Sequence, residues 1–311
     1  MATTRTLDSA PAILPLYARA AAPLIPGASL LPFLPGRGDA IPETELILPG
    51  VHADPDAVAA YARACGFALR DHLPPTYPHV LAFPLHMATM ADGDFPFGAV
   101  GLVHVENRIE QHRRIGLDEE LKLVVRPTAL QPHPRGQTFG LITEAWAGRQ
   151  KAWGSLSTML RRGSGTEPQG AKRPQGDGEE EPGLTPSAEW RLGGDLGRRY
   201  AAVSGDRNPI HMHALTAKPL GFPSAIAHGM WTKARCLAAL ESRLPEAFAA
   251  EVRFRKPIRL PGRVEFLCDS GDGQIHFAVR DAKRQTPHLD GRVQPREAKA
   301  TPNESTGRNS K

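Results

Sequence analysis

The chain has 311 residues, of which 41% are hydrophobic and 23% charged, and these values exclude a disordered or fibrous protein and allow two domains. Its net charge of +5 favours anionic partners in general. The sequence contains no basic helix interleaved with aromatic residues, no zinc-finger spacing and no RNA-binding signature, so it does not indicate a nucleic-acid-binding protein.

Residues 1–42 predict an N-terminal arm rather than a domain. The segment is apolar and rich in proline, and Arg19 and the prolines interrupt every apolar run. It therefore lacks the continuous apolar stretch of a signal peptide and the roughly 20 apolar residues of a membrane span. We expect a short helix over residues 14–22, followed by an extended segment that lies on the next domain. A segment weakly anchored at a membrane surface is the alternative that stays open.

Residues 43–162 predict a first domain in which a sheet wraps round one buried helix. Asp54-Pro55-Asp56 is typical of a helix start, and Ala147-Gly148 is typical of a turn between two strands. The predicted elements are a strand at 45–48, a helix at 57–66, an apolar segment at 80–90 and strands at 100–109, 121–126 and 138–160, the last broken at the turn.

Residues 163–186 are rich in Gly, Pro and Glu and predict a flexible linker. A second domain is predicted over 187–290, and the polar, charged residues 291–311 predict a disordered tail. The elements expected in the second domain are a strand at 188–192, a helix at 195–204, a buried helix at 230–243 and strands at 251–257, 263–268 and 274–280.

One loop of the second domain concentrates residues that carry chemistry. Pro209 pushes Asn208 out of the α region, so the chain between Asp206 and His211 cannot be regular helix. Gly205 can end the preceding helix in a left-handed conformation, and Asn208 can cap a new turn. The sequence therefore predicts that an acid and an imidazole are displayed together on a tight loop.

A second feature follows at His228-Gly229, which opens the buried helix. A glycine N–H at a helix start is a preorganised donor to developing negative charge, so we predict this role for Gly229. His228 is expected to set the geometry of that loop. Ser204 and Asn208 are expected to support the first loop by hydrogen bonds, and Ser204 is not expected to be a nucleophile because no G-x-S-x-G elbow surrounds it.

These motifs form one set that extends over residues 200–262. The set consists of Tyr200, Ser204-Gly205-Asp206, Asn208-Pro209-Ile210-His211, Gly221-Phe222, Ile226, His228-Gly229-Met230, Val252-Arg253-Phe254, Pro257 and Pro261-Gly262. It resembles the MaoC-like dehydratase, or (R)-specific enoyl-CoA hydratase (hydratase 2), family. The whole chain is similar to the double hot-dog members, especially the actinobacterial 3-hydroxyacyl-thioester dehydratases. One departure is His213, which stands where the family often has Asp.

The resemblance implies an α+β fold, the double hot dog, in which two antiparallel sheets each wrap round a long helix and one chain forms a pseudo-dimer. It implies reversible hydration of trans-2-enoyl thioesters to (3R)-3-hydroxyacyl thioesters in fatty-acid metabolism. Asp206 and His211 would hold the water, and the Gly229 N–H would bind the carbonyl oxygen. We favour His211 as the base toward water and Asp206 as the proton donor at C2, although the sequence leaves the opposite assignment open.

The implied partner is an acyl thioester of coenzyme A or of an acyl carrier protein, and the positive net charge fits either. No metal or redox cofactor is implied, and a homodimer of chains is a further expectation. Acyl chain length and the direction of the pathway stay open.

Cys65, Cys236 and Cys268 form no CxxC and are odd in number, which predicts reduced thiols and a cytoplasmic location.

An internal repeat supports the pseudo-dimer. Residues 61–66 (Tyr-Ala-Arg-Ala-Cys-Gly) echo residues 200–205 (Tyr-Ala-Ala-Val-Ser-Gly), and His86 echoes His228 at a similar spacing. The first copy has Phe67 in place of the acid and lacks Asn-Pro-x-His, so one active site per chain is predicted. By the resemblance, the first copy shapes the acyl tunnel. Its remaining histidines are expected to be structural or to lie at the rim: His86, His104 and His112.

Two other functions stay open at this point, an acyl-thioester hydrolase with the hot-dog fold and a non-catalytic acyl-thioester-binding protein. A metal site built from Asp206, His211 and His213 is disfavoured, because zinc sites have three or four converging ligands at recognised spacings. Lys233 and Arg235 lie in the predicted buried helix, and they either reach solvent or line the entrance for the carrier.

Overall fold

The computed structural model describes residues 3–21, 40–99, 101–163, 183–269 and 273–297. Its helices are α1 (Ile13–Ala21), α2 (Pro55–Cys65), α3 (Tyr77–Leu81), α4 (Phe83–Met90), α5 (Leu196–Ser204), α6 (Pro209–Met212), α7 (Ala214–Ala217) and α8 (Gly229–Ala239). Its strands are β1 (Thr3–Thr6), β2 (Thr44–Val51), β3 (Val103–Gln111), β4 (Leu121–Pro127), β5 (Gln131–His133), β6 (Gly136–Ala147), β7 (Gln150–Arg162), β8 (Thr185–Leu192), β9 (Phe248–Phe254), β10 (Gly262–Cys268), β11 (Ile275–Asp281) and β12 (Pro287–Pro295).

The twelve strands of the described residues form one continuous sheet in the order β1-β2-β4-β6-β7-β3-β9-β12-β11-β10-β8, with β5 paired to β6. The pairs are antiparallel except that β1 runs parallel to β2. The halves meet where β3 pairs with β9, with Asn107 opposite Val252. The two sheets predicted from the sequence are thus joined edge to edge, and the expected α+β class is confirmed.

The largest apolar cluster of the described residues contains side chains from both halves. It includes Leu85 of α4 and Leu237 of α8, so each half packs its own helix into the shared core. Helix α2 of the first half reaches the second half, because the Trp231 indole N–H donates to the carbonyl of Ala64 at 2.9 Å. This packing brings the loops of the second half against the helices of the first.

Local sequence signals set several boundaries as predicted. Asp54 caps α2 by accepting from the Asp56 N–H at 3.0 Å, and Gly66 ends that helix at φ 87°. The long run 138–160 breaks between β6 and β7 at Gly148, which has φ 56°. The apolar segment 80–90 divides into α3 and α4, and Pro84 lies in the first turn of the second of these helices.

Three predicted boundaries are wrong. Strand β8 begins at Thr185, within the predicted linker, and α8 ends at Ala239, with a 3₁₀ turn at Glu241–Arg243 after it. Strand β12 was not predicted, and it runs five residues past the predicted boundary at 290 into the segment assigned to the tail. The rest of the linker, the extended part of the arm and the end of the tail lie outside the described residues.

Strand β12 escaped prediction because its charges interrupt the apolar alternation. They are paired on the sheet surface: the Arg255 guanidinium donates to Asp290 at 3.1 Å, and Arg292 donates to Glu251 at 2.7 Å. Cross-strand ion pairs of this kind place charged side chains in the middle of a sheet.

The N-terminal arm forms β1 and the helix α1. Leu16 and Ala20 of α1 pack into a second apolar cluster with Met87 and Met90 of α4. Among the described helices, none is both long enough and apolar enough to cross a membrane.

Candidate active site

The loop after α5 folds as its sequence predicts. Gly205 ends α5 at φ 75°, and Asn208 caps α6 by accepting from the Ile210 N–H at 3.4 Å. A contact that the sequence did not reveal sets the position of α6. A Cβ at Gly197 would lie 1.9 Å from the carbonyl oxygen of His211, so only glycine allows α5 and α6 to approach this closely.

The His211 imidazole is buried and held in one tautomer. Its Nδ1 lies 2.8 Å from the carbonyl oxygen of Ile226. Because a carbonyl oxygen only accepts, Nδ1 carries the proton and Nε2 keeps its lone pair. Burial, with a contribution from His228, lowers the pKa of His211 to about 3 against the opposing effect of Asp206. At neutral pH the ring is therefore neutral and able to accept a proton.

The Asp206 carboxylate is held at one oxygen. Its Oδ1 accepts from the Tyr17 hydroxyl at 2.9 Å and from the Asn208 N–H at 3.1 Å. Oδ2 lies 3.8 Å from His228 Nε2. Burial acts to raise the pKa of Asp206, but His228, His211 and these two donors outweigh it, so the pKa is lowered and the group is ionised at neutral pH.

His228, at the start of α8, contacts both Asp206 and His211 of the loop after α5. Its Nε2 donates to the backbone carbonyl of Asp206 at 2.9 Å, and its ring stacks on His211 with the centroids 3.7 Å apart and an interplanar angle of 25°. Burial lowers its pKa, so it too is neutral. Ser204, the last residue of α5, supports the loop, because its hydroxyl donates to the Tyr200 carbonyl at 2.9 Å and accepts from the Asp206 N–H at 3.2 Å.

Gly229 is the first residue of α8, directly after His228. It lines the same cavity as Asp206 and His211. A Cβ at this position would lie 3.0 Å from the ring of Phe254, so a side chain here would press on the cavity wall. The structure thus brings the acid, the imidazole and the helix start to one cavity.

That cavity, of about 180 Å³, is lined by both halves. The first half contributes mainly apolar side chains, which are Val80, Phe83, Met90, Leu102, Val103, Val105, Leu141, Met159 and Leu160. Four cationic side chains also line it, which are Arg135, Arg162, Arg255 and Lys256. The arrangement suits a ligand with an apolar part and an anionic part.

Histidines of the first half also reach this cavity. His86 is 2% exposed and its Nε2 lies 2.8 Å from the Thr143 hydroxyl, while His104 lies beside Phe254 with the ring centroids 5.0 Å apart. The sequence did not single out His79, whose ring lies 4.8 Å from that of His86. Burial lowers the pKa of His79 to about 4 and that of His104 to about 3. His112 does not line the cavity.

The metal combination considered from the sequence is not assembled. His213 is exposed at the start of α7, whereas the donor atoms of Asp206, His211 and His228 lie within 4.8 Å of one another. Imidazole lone pairs lie in the ring plane, and zinc–nitrogen bonds are about 2.0–2.1 Å. Two rings stacked 3.7 Å apart hold their lone pairs in separate planes, so this trio does not fit a shared ion well.

Neither expectation for Lys233 is met. The side chain is fully buried in α8 and donates to the backbone carbonyl oxygens of Asn107 at 3.2 Å and Ala250 at 2.9 Å. Arg235 packs over the Trp190 ring, 4.9 Å from its centroid.

Comparison with known proteins extends these observations. A model of the MaoC like domain matches residues 183–291. The 3-hydroxyacyl-thioester dehydratase X of Mycobacterium tuberculosis is 38% identical over 267 residues, which are 86% of this chain and 94% of that protein. The 3-hydroxybutyryl-CoA dehydratase of Methylorubrum extorquens is 39% identical over 70 residues, 21% of this chain and 45% of that protein.

Solved structures agree with the fold. The crystal structure of HtdX from Mycobacterium tuberculosis matches with a TM-score of 0.72 and 36% identity, covering 81% of this chain and all of that one. Another protein of that organism, described as having a double hot-dog fold, matches with a TM-score of 0.53 and 15% identity over 79% of this chain and 93% of that one. The predicted double hot dog is confirmed, and the chain belongs to the MaoC-like dehydratase family.

Proposed function

We propose that the protein catalyses the reversible hydration of trans-2-enoyl thioesters to (3R)-3-hydroxyacyl thioesters, and therefore acts as a hydro-lyase in fatty-acid metabolism. The observation that carries the proposal is the convergence of two proton-accepting groups beside a helix start. The side chains of Asp206 and His211 approach each other within 4.8 Å, in a cavity that Gly229 also lines. A relative that matches 86% of the chain carries a dehydratase name.

The protonation states define how a water molecule would be held. His211 Nε2 keeps a lone pair and Asp206 is a carboxylate, so each accepts one hydrogen of the same water. The water oxygen attacks C3 while its proton passes to His211. The electron pair of the double bond moves toward the carbonyl oxygen, where the Gly229 N–H stabilises it. Losing one donor of this kind typically costs about 3 kcal/mol of transition-state stabilisation.

The second proton transfer completes the addition. The imidazolium formed on His211 returns the proton to C2 on the face from which the water attacked, which gives syn addition. Burial makes this imidazolium a strong acid, since the pKa of His211 is about 3. The adjacent Asp206 carboxylate stabilises the imidazolium and orients the water. Dehydration follows the same steps in reverse.

This sequence of steps changes one expectation. Asp206 was expected to donate the proton to C2, but its lowered pKa leaves the resting carboxylate without a proton to give. A carboxylate can orient water and stabilise positive charge in this state, and we assign it those roles. His211 as the base toward water agrees with the neutral ring.

We propose that the thioester carrier is coenzyme A or the phosphopantetheine of an acyl carrier protein. The four cationic side chains of the cavity support this, because both carriers are anionic.

The addition needs no metal and no redox cofactor, since carbonyl polarisation and a bound water suffice. We further propose a cytoplasmic location, based on three cysteines that are all free thiols, and a homodimer that light scattering can test.

The decisive experiment offers enoyl thioesters of several chain lengths on both carriers to the wild-type protein, Asp206→Asn and His211→Gln. We expect the wild type to form the (3R)-hydroxyacyl product, with or without a metal chelator, and each variant to be slower by about 100-fold or more. Equal rates in all three proteins would refute the site. Thiol release from saturated acyl-CoA would instead indicate a hydrolase, and binding without turnover would indicate a non-catalytic protein.

A further inference from the structure

The N-terminal arm contacts the proposed acid directly. Tyr17 of α1 lies 189 positions before Asp206 in the chain, yet its hydroxyl donates to Asp206 Oδ1 at 2.9 Å. The same hydroxyl oxygen accepts from the Arg207 N–H at 2.8 Å. Tyr17 is not among the residues that line the cavity, so it contacts the acid from the side away from the substrate.

We propose that Tyr17 is a positioning residue that fixes the Asp206 carboxylate so that Oδ2, and not Oδ1, faces the reacting water. The inference rests on the function proposed above for Asp206. Tyr17 and the Asn208 N–H together occupy Oδ1 at 2.9 and 3.1 Å. Oδ2 is left on the side of His228, whose Nε2 lies 3.8 Å away. Hydrogen bonds to an ionised carboxylate are charge-assisted and strong, so two of them on Oδ1 favour the orientation that leaves Oδ2 free.

Contacts with both halves of the protein hold α1 in place. Leu16 and Ala20 pack with Met87 of the first half, and Ile13 lies against the catalytic loop of the second half. The Ile13 side chain is so close that a Cβ at Gly205 would lie 2.7 Å from its Cδ1. Strand β1, which precedes α1, is anchored to β2 in parallel register. These contacts fix the arm in a position where the Tyr17 hydroxyl reaches the Asp206 carboxylate.

The Tyr17 hydroxyl is expected to remain protonated and therefore to remain a hydrogen-bond donor. Burial, with the nearby Asp206 charge, raises the pKa of Tyr17 far above its ordinary value, so the hydroxyl stays protonated at any working pH. Donation to the carboxylate contributes to the lowered pKa of Asp206. Removing the hydroxyl should then both free the carboxylate to rotate and raise its pKa.

The test is Tyr17→Phe in the full-length protein, because this change keeps the ring and removes only the hydroxyl. We expect kcat for enoyl thioester hydration to fall about 10-fold with KM nearly unchanged, as is typical when a hydrogen bond to a charged group is lost. The acidic limb of the kcat–pH profile should move to higher pH. Leu14→Ala is the matched control, because Leu14 is on the same helix and 72% exposed, and we expect it to behave as wild type.

A second measurement separates this inference from the proposed reaction. Carboxyl ¹³C NMR of Asp206 in the folded proteins reports its pKa without any turnover. We expect that pKa to be higher in Tyr17→Phe than in wild type and Leu14→Ala, whether or not the protein hydrates enoyl thioesters. An unchanged carboxyl pKa, or an unchanged kcat and pH profile in a folded and active variant, would overturn the positioning role.

Discussion

Lys233 and Asn107 form a buried link between the two halves of the protein. Lys233 Nζ, on α8, donates to both oxygen atoms of Asn107 on β3, at 3.2 Å to the backbone carbonyl and 2.5 Å to the side chain. A third bond goes to the Ala250 carbonyl of β9 at 2.9 Å. The lysine thus spans the strand pair at which the sheets of the two halves join, and burial lowers its pKa well below the ordinary value.

Replacing this lysine should destabilise the junction. Lys233→Met leaves three buried acceptors without their donor, so we expect the free energy of unfolding to fall by about 2–4 kcal/mol. Urea denaturation measures the effect. Lys122→Met is the control, since Lys122 is exposed and surface changes usually stay within about 0.5 kcal/mol. A loss no greater than that of the control would show that the link does not stabilise the fold.

A methyl group on α5 should displace the loop that carries Asp206 and His211. Gly197→Ala places a Cβ 1.9 Å from the His211 carbonyl oxygen, and backbone cannot yield as a flexible side chain can. We expect kcat to fall by at least about 10-fold, because shifts of about 1 Å at a reacting group cost that much or more. Gly194→Ala serves as the control, since its nearest contact would be Pro261 at 3.8 Å. Similar kcat values for the two folded variants would contradict the prediction.

The contact between position 229 and the Phe254 ring can be tested by a substitution and a second, compensating substitution. Gly229→Ala brings a Cβ to 3.0 Å from the Phe254 ring, which lines the cavity and must shift by a few tenths of an ångström. We expect a folded protein with kcat reduced about 10-fold. Adding Phe254→Leu removes the ring and should recover part of the loss. If the double variant is no faster than Gly229→Ala, the ring is not the cause.

The buried histidines predict a stability that falls in acid. Burial lowers the pKa to about 4 for His79 and about 3 for His104 and His211, from 6.5 for an unburied histidine. Between about pH 6.5 and pH 4 the unfolded chain therefore binds more protons than the native one. The free energy of unfolding should drop as the pH falls through this window, by up to about 1.4 kcal/mol per pH unit for each histidine.

Urea midpoints measured across that window test the sign. The lowered pKa of Asp206 acts in the same direction at the acidic end. His104→Gln removes one titrating group, so its stability should depend less steeply on pH than that of wild type. A flat profile, or one that rises toward acid, would show that these rings are not held neutral in the native protein.

Much of the loop geometry was predictable from the sequence, because turn chemistry is local. Gly205 adopts its left-handed conformation and Asn208 caps the turn that begins at Pro209, as near-neighbour sterics require. The motif of residues 200–229 likewise indicated the family, and the repeat in the first half indicated the duplicated fold. These inferences depend on residues a few positions apart.

Elements that depend on distant partners were missed. The charged residues of β12 obscured its strand pattern, and their ion-pair partners Arg255 and Glu251 are distant in the sequence. A lysine in a buried helix was likewise unexplained by the sequence, because its partner Asn107 belongs to the other half. Tyr17 gives no local signal, because its partner Asp206 lies 189 positions away. The proton donor that we propose also differs from the one favoured on the sequence, because burial and neighbouring groups set the pKa of Asp206 and the motif shows neither.

The sequence by itself determined which residues make the turns and the caps, and it indicated Asp206 and His211 as the candidate site residues. Only the tertiary structure decided which oxygen of Asp206 is held, which tautomer His211 adopts and which side chains of the first half line the cavity. The physical reason is that backbone conformation follows short-range sterics, whereas protonation and orientation follow burial and contacts that arise only when the two halves and the arm pack together.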